Sequence, residues 1–323
     1  MQIQYRTHTS DDLPKLRQLW TEFSNWGTIS DEDWQRYVIE APNGGPFICV
    51  AMDPSDRIVG AMTFMRLRMM LNGREVKAVR PFAPIVSDVL RKHMLSLNPL
   101  DHPVVRMSKH MESLLREEGF VLTFMLPDPH WKLLFRLMPR VSLSSYPLWS
   151  IRLPLPQPLA HQAGYTSEPF NDWGEPVDTL WARVSTDFGS GVVRDSARLH
   201  RHSGPPHFDV LGIRRGGELV GLVCSRKHGD RQWLICDMIA TDEAARREAL
   251  IAACNLAHTK AVSNEDGEII KAALLVTPPL LPLVQDLGFQ RDKYDFTLAV
   301  RRLGDTITKD DLEGARWYLS AND

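Results

Sequence analysis

The stretch LPLPQPLAHQAG, residues 153–164, lies near the middle of the 323-residue chain. Its prolines alternate at positions 154, 156 and 158, and alternating prolines favour an extended, semi-rigid connection between folded parts. At about 150 residues per domain, a chain of this length is expected to form roughly two domains. We therefore predict an N-terminal domain over residues 1–152, a proline-rich linker over 153–164 and a C-terminal domain over 165–323.

The two sequences that flank this linker predict the same order of elements. Apolar runs and turn residues predict strands in the first half at 2–8, 47–52, 58–71, parts of 74–88, 121–126 and 146–153, with helices at 10–23, 30–41, 103–118 and 130–138. The second half predicts strands at 165–170, 208–215, 218–226, 232–240, 268–276 and 294–300. Its helices are predicted at 177–188, 194–202, from after Thr241 to about Ser263, and at 278–287. What repeats is the order of elements rather than residue identity.

Composition excludes several classes of protein. Thirty-eight Lys and Arg against 40 Asp and Glu give a formal net charge of −2, so no domain-wide basic field for DNA or anionic lipid is expected. No apolar run approaches the ~18 residues that cross a bilayer, and residues 1–15 lack the apolar core of a secretion signal. The four cysteines are far apart, without zinc-ligand spacing, and Cys49 and Cys224 lie in apolar runs. We predict a cytoplasmic protein with buried thiols and no metal.

The order strand, two helices, antiparallel meander, long helix, strand, helix and strand resembles the GNAT (GCN5-related N-acetyltransferase) superfamily, here twice in tandem. Short strings add to the resemblance. His102–Arg106 is similar to the family's V-x-P-x-x-R string, Pro127–His130 to its fifth-strand and fourth-helix region, and Gln285–Phe289 to its x-x-x-G-F string. RDSARLHRHSG (194–204) and Arg316–Ser320 resemble strings of a bacterial tandem subgroup often encoded with polysaccharide genes.

This resemblance implies an α/β (α+β) fold of two tandem GNAT-like domains, each a mixed, mostly antiparallel sheet flanked by helices. It also implies a cleft between splayed central strands that takes the pantetheine arm of an acyl-CoA. The implied activity is an acyl-CoA-dependent N-acyltransferase that moves an acetyl or longer acyl group to a small-molecule amine or amino-sugar acceptor. Acetyl-CoA or another acyl-CoA would be the co-substrate.

The resemblance places the pyrophosphate of the donor at a helix N-terminus, where backbone N–H groups and the helix dipole favour anions. The family's loop, R/Q-x-x-G-x-G/A, needs glycine for close approach, and here Met107 and Lys109 would take the glycine positions. The segment nevertheless carries cations, a hydroxyl and a titratable ring. We predict that the donor is bound by Arg106, Met107, Ser108, Lys109 and His110. A solvated helix face is the alternative interpretation.

The equivalent segment of the second half, Ala240–Arg247, is less suited to an anion. Asp242 and Glu243 would occupy the first helical turn, where they stabilise the helix and repel pyrophosphate. Two unit charges ~4 Å apart at an effective dielectric of ~20 cost about 4 kcal/mol, partly offset by Arg246 and Arg247. We therefore expect the donor in the first half.

An acyl transfer to an amine needs a base for the amine's proton. Asp237 interrupts the apolar strand WLICDMIA, so it either faces solvent or is a buried carboxylate with a raised pKa. Asp88 stands similarly in PIVSDVL, and we predict Asp88 and Asp237 as catalytic residues. The predicted fourth helices contain no tyrosine to act as the acid, but thiols are acidic enough to leave without one. Several methionines of the first half either fill the core or line an adaptable acyl pocket, and these are Met62, Met65, Met69, Met70, Met107 and Met111.

Two alternatives stay open beside the enzyme. The missing glycines also fit a catalytically inactive GNAT-like protein that acts by binding or as a scaffold. Aminoacyl transfer from charged tRNA, known for tandem relatives of this fold, is the third hypothesis, and the near-neutral charge argues against it because tRNA binding needs a basic surface.

Overall fold

The chain divides into two compact units that interleave in sequence. The computed structural model describes residues 2–24, 28–35, 44–92, 99–127, 131–186, 189–265, 267–313 and 315–323. Unit 1 comprises Met1–Met69, Glu75–Ser144 and Thr297–Gly314, and unit 2 comprises Met70–Arg74, Ser145–Phe296 and Ala315–Asp323. The predicted domain boundaries stay a prediction. The two units are defined by their compactness in space, and each is assembled from three separate segments of the chain.

Local sequence signals account for most helix and strand ends. In the first half the elements are β1 (Gln4–Thr7), α1 (Leu13–Phe23), α2 (Asp31–Trp34), β2 (Phe47–Met52), β3 (Ile58–Leu71), β4 (Arg74–Val86), α3 (Asp88–Lys92), α4 (Pro103–Glu117), β5 (Leu122–Met125), α5 (Lys132–Leu137) and β6 (Val141–Arg152). Asn72 and Gly73, both with positive φ, turn β3 into β4 as the sequence predicts. The Ser30 hydroxyl accepts a hydrogen bond from the Asp33 N–H at the start of α2.

The second half repeats this order. Its elements are β7 (Tyr165–Pro169), α6 (Glu175–Val184), β8 (Gly191–Val192), α7 (Ser196–Ser203), β9 (Asp209–Arg215), β10 (Glu218–His228), β11 (Gln232–Ala240), α8 (Glu243–Ser263), β12 (Lys271–Leu275), α9 (Leu281–Asp286), β13 (Gln290–Arg302) and α10 (Lys309–Glu313). Asp242 caps α8 by accepting from the Ala245 N–H at 2.8 Å, in agreement with the helix-stabilising role predicted for it.

Unit 1 contains a mixed sheet in the order β1-β2-β3-β4-β5-β13. β1, β2 and β3 pair antiparallel, whereas β4 and β5 run parallel and pair only at Ala78–Leu122 and Val79–Thr123. The end of β13 closes the sheet by pairing antiparallel with β5. Helix α4 packs on this core through Met107, Met111 and Leu115, which are buried at helical spacing.

Unit 2 contains the corresponding sheet in the order β7-β9-β10-β11-β12-β6. Its outer strands pair antiparallel, and its central strands β11 and β12 run parallel over Gln232–Leu234 and Lys271–Ala273. β6 pairs antiparallel with β12, so each sheet ends on the last strand of the other half of the chain. The predicted fold class, a mixed and mostly antiparallel sheet flanked by helices and present twice, is confirmed.

A few predicted elements differ from the structure. Asp88 lies in helix α3 rather than in a strand, because β4 ends at Val86 and the Ser87 hydroxyl accepts from the Leu90 N–H. Helix α3, the short strand β8 and helix α10 were absent from the prediction. Part of the predicted helix 30–41 and the string at 128–130 lie outside the described residues.

Candidate functional site

A cleft of about 550 Å³ opens in unit 1 where β4 and β5 diverge. Parallel pairing stops at Val79 and Thr123, yet β4 continues to Val86 along one side of the opening. Most of the cleft wall is apolar, and two arginines also line it. The lining side chains include Met62, Phe82, Met125, Trp131, Phe135, Arg80 and Arg91.

The divergence has a cause in the sequence Arg80-Pro81-Phe82-Ala83-Pro84. Proline has no N–H to donate to a neighbouring strand, and two prolines here flank the edge of the cleft. Ala83 between them has φ +46°, a left-handed conformation that residues other than glycine rarely adopt. Backbone strain of this kind concentrates at binding and catalytic sites.

His102 caps helix α4 at the cleft wall. Its ring Nδ1 accepts a hydrogen bond from the Val104 N–H at 3.3 Å, so a neutral ring carries its proton on Nε2. The ring packs edge-on against Trp131, with centroids 5.4 Å apart, and both residues line the cleft. Burial lowers the pKa of His102 from its ordinary value, which favours this neutral form. No role was predicted for the His102 side chain, although its position before Pro103 at a helix start was the available signal.

The five residues predicted to bind the donor do not converge. Because α4 begins at Pro103, residues 106–110 lie at the end of its first turn and in its second, where successive side chains point about 100° apart. Arg106 pairs with Asp101 at 2.9 Å, and His110 is exposed. Met107 is fully buried in the core, Ser108 lines a small void beneath the cleft, and Lys109 lines a separate open groove.

The first turn of α4 also differs from a glycine loop. Pro103 has no N–H, the Val104 N–H is taken by His102, and the Arg106 N–H bonds to the His102 carbonyl at 3.0 Å. These five residues therefore follow the capped first N–H groups of α4. The role of these five residues in donor binding stays a prediction.

Asp88 does not itself line the cleft but pairs with a residue that does. Its side chain is 67% exposed at the start of α3 and lies 3.6 Å from Arg91, which lines the cleft. Its predicted catalytic role stays a prediction, now in a helix rather than a strand.

Asp237 lies in unit 2 and is buried, the second of the two environments predicted for it. Its Oδ1 accepts from Arg194 Nε at 2.7 Å and from the Met238 N–H at 2.9 Å. Arg194 Nη2 also donates to Asp323 Oδ2 at 2.6 Å, which places one guanidinium between two carboxylates. Burial raises the pKa of Asp237, and the adjacent Arg194 opposes this shift. These hydrogen bonds hold the Asp237 carboxylate inside unit 2. Its predicted catalytic role stays a prediction.

The gap between the central strands is occupied in unit 2. β11 runs past its pairing with β12, and the Met238 carbonyl there accepts a hydrogen bond from the Tyr318 hydroxyl. The segment 316–318 is anchored by Ser190, whose carbonyl accepts from the Tyr318 N–H at 2.7 Å. Arg194 lies over the Tyr318 ring at 4.9 Å. The two strings that resemble the tandem subgroup, at 194–204 and 316–320, therefore meet at this strand.

Three further observations concern the described residues. Within this part of the chain no helix is both long and apolar enough to cross a membrane. Its His, Cys, Asp and Glu side chains form no group of three that could hold a metal ion. The four cysteines are buried and free, and burial raises the pKa of Cys49, Cys236 and Cys254 to about 12, as expected for inert thiols.

Comparison with known proteins gives matches in structure alone. No family model and no curated protein matches the sequence. A GCN5-related N-acetyltransferase from Anabaena variabilis ATCC 29413 superposes with a TM-score of 0.68 at 11% identity, covering 94% of this chain and 73% of that one. A GCN5-related N-acetyltransferase from Kribbella flavida gives 0.66 at 13% identity, covering 93% and 71%.

A tandem GNAT protein from the clavulanic acid biosynthesis pathway, solved without AcCoA, gives a TM-score of 0.58 at 15% identity. That match covers 95% of this chain and 100% of the other, so both units take part in it. Likeness at such low identity establishes the architecture rather than the reaction. The chain has the tandem GNAT fold.

Proposed function

We propose that the protein is an acyl-CoA-dependent N-acyltransferase whose donor site is the cleft of unit 1. The observation that carries this proposal is the open cleft at the diverging strands β4 and β5. In the GNAT resemblance this divergence is where the pantetheine arm lies. The occupied gap of unit 2 supports the same assignment, since Tyr318 holds the equivalent strand edge there.

The lining of the cleft suits the two chemical halves of an acyl-CoA. Met62, Phe82 and Phe135 offer an apolar surface for a pantetheine arm and an acyl chain. Arg80 and Arg91 offer positive charge and hydrogen-bond donors for the diphosphate. They would take the place of the Val104 N–H, which His102 caps.

The reaction joins an amine to the thioester carbonyl carbon, breaks the C–S bond and releases a thiolate. His102, neutral with a proton on Nε2, is a hydrogen-bond donor suited to the carbonyl oxygen that gains negative charge. Asp88 is exposed beside Arg91 and can hold the ammonium of a small-molecule amine or amino sugar and accept its proton. For Asp237 we propose a structural role.

Calorimetric titration with acetyl-CoA tests donor binding. We expect Arg80→Ala and Arg91→Ala each to weaken binding by about 10- to 150-fold, the equivalent of a charge-assisted hydrogen bond of 1.5–3 kcal/mol. Arg116→Ala and Lys109→Ala remove the same charge from the separate groove and should leave the affinity unchanged. No heat with acetyl-CoA or longer acyl-CoAs would refute the proposal, and weakening by Lys109→Ala would restore the 106–110 segment as the donor site.

A catalytically inactive binding protein is the second candidate, favoured by the capped helix start without glycine. A thiol-release assay with a panel of small amines and amino sugars separates the two. Thiol release above background excludes the inactive protein, whereas donor binding without release supports it.

The cytoplasm is our proposed location, supported by four unpaired, buried cysteines.

A further inference from the structure

Arg301 is a buried guanidinium with unused donors. It lies near the end of β13 in unit 1, and its side chain is only 7% exposed. Nη2 donates to Glu112 Oε2 at 2.5 Å. Among the described residues, Nε and Nη1 have no hydrogen-bond partner, although both atoms are buried. Buried donors are paired in the great majority of cases, so this arrangement calls for an acceptor.

The side chain of Arg301 forms part of the wall of a small void that adjoins the cleft. Arg301 lines it together with Ser108, Thr123 and Met138, and its volume of about 10 Å³ has room for one water-sized group. Met62, Val104, Met125 and Phe135 line both the void and the cleft. An oxygen atom placed in the void would therefore contact the same side chains as the rest of a ligand bound in the cleft.

The charge in the void favours a neutral acceptor over an anion. Glu112 already balances the positive charge of Arg301. A carboxylate would add an uncompensated charge to a buried site, which is costly, whereas a ketone or hydroxyl oxygen accepts the same hydrogen bonds without that charge.

We propose that Arg301 is a specificity-determining residue that selects a donor acyl group carrying a neutral oxygen, a ketone or a hydroxyl, which enters this void. This inference rests on the proposed function of the cleft. A purely alkyl acyl group of the same shape would leave the Arg301 donors unpaired. Sites built to hydrogen-bond an oxygen discriminate strongly against analogues without it.

Calorimetry with isosteric acyl-CoAs tests the selection. Acetoacetyl-CoA and isovaleryl-CoA differ in that a methyl group replaces the ketone oxygen, and 4-oxopentanoyl-CoA and 4-methylpentanoyl-CoA form the same pair one carbon longer. We expect at least one oxo donor to bind the full-length protein 10-fold or more tightly than its methyl isostere. Succinyl-CoA tests the anionic case and should show no such gain.

Variants assign the preference to Arg301. Arg301→Met combined with Glu112→Gln removes both charges together, so that no buried carboxylate is left alone, and circular dichroism confirms the fold. We expect the oxo preference to fall below 3-fold in this double variant. It should persist in Glu112→Gln, which keeps Nε and Nη1, and in the matched exposed change Arg116→Met.

The possible outcomes distinguish a failure of this inference from a failure of the proposed function on which it rests. Failure of every acyl-CoA to bind would refute the proposed function itself. Binding of both isosteres with equal affinity would refute only the selection, since one water molecule then satisfies Arg301. A preference that survives in the double variant, or a larger gain for succinyl-CoA, would also refute it.

Discussion

Arg194 of unit 2 illustrates a residue whose charge is needed by its neighbours. It lies between the carboxylates of Asp237 and Asp323 and is itself 1% exposed. Its third contact is a hydrogen bond from Nη1 to the Val192 carbonyl at 2.6 Å. Removal of the guanidinium would leave two carboxylates buried near each other without a cation.

We expect Arg194→Met to lower the free energy of unfolding by about 3–5 kcal/mol, the usual cost of breaking a buried ion pair from one side. Urea denaturation followed by circular dichroism measures this loss. Arg231→Met is the matched control, because Arg231 pairs with Glu268 on the surface and its loss should cost no more than about 1 kcal/mol. Equal effects of the two changes would contradict the structural role of Arg194.

The Arg6–Asp12 pair of unit 1 predicts a dependence of stability on pH. Two hydrogen bonds, of 2.6 and 2.9 Å, join the groups, and the hydrogen bond from Arg6 holds the pKa of Asp12 well below its usual range. The unfolded chain, with a pKa of about 3.9, then binds this proton first as the pH falls. The pair therefore stabilises the fold at neutral pH, and this contribution is lost progressively as the pH drops below about 4.

Asp12→Asn should be less stable than the natural protein by about 1–3 kcal/mol at pH 7, the range for hydrogen bonds to charged groups. The difference should narrow between pH 4 and pH 2 in urea denaturation curves. Asp31→Asn serves as the control, because Asp31 is 85% exposed in its pair with Arg17. A difference that stays constant over this pH range would show that the pair does not act through protonation.

For single residues, the sequence predicted whether a side chain is buried better than it predicted what that side chain does. The apolar neighbours of Asp237 were enough to identify burial as one of two outcomes, but its partners Arg194 and Asp323 are 43 and 86 residues away along the chain. Asp88 was misplaced because an apolar run does not show where a strand stops and Ser87 starts a helix. Arg80, His102 and Arg301 were missed because their importance depends on a cleft that no local pattern contains.

Helix α4 shows at the element scale why the missing glycines cannot simply be restored. Met107 packs in the core of unit 1 with no exposed surface, and Lys109 lies on the outer face of the same helix. Both positions are helix interior in this fold, whereas the family's loop precedes its helix.

We expect Met107→Gly to destabilise unit 1 by more than about 3 kcal/mol, since it combines a core cavity with the poor helix propensity of glycine. Lys109→Gly should cost about 1 kcal/mol relative to Lys109→Ala. Neither change should improve the affinity for acetyl-CoA, because the first turn of α4 stays capped by His102. Thermal unfolding and calorimetry provide the two readings, and a gain in affinity would mean that these positions do face the donor.

Element order was predictable and strand partners were not. Turn signals such as Asn72-Gly73 and the helical spacing in α4 act over a few residues, so their structures followed from the sequence. The partners of β6 and β13 are set by long-range packing, and nothing in either strand's own residues indicates that it completes the sheet of the other half.

At the scale of the whole molecule the two units repeat one sheet but differ at its centre. Unit 1 leaves a cleft between its parallel strands, whereas Tyr318 occupies the matching strand edge of unit 2. We therefore expect a ligand to bind at this position in unit 1 rather than in unit 2.

Titration with an acyl-CoA should accordingly give one site per chain. Hydrogen exchange at saturation should show protection in residues 80–86 and 103–105, with no change in residues 235–240. Binding at two sites, or protection confined to residues 235–240, would show that Tyr318 yields its place to the ligand.

The exchanged strands also have a consequence for how the protein is made. The sheet of unit 1 needs Ala299–Arg302, which pair with β5 from nearly two hundred residues earlier. Domains of a nascent chain generally fold from the N-terminus as they emerge from the ribosome. Here the sheet of unit 1 must wait, with the edge of β5 open, until residue 302 has been translated. Chaperones can act on the unfinished sheet during that interval.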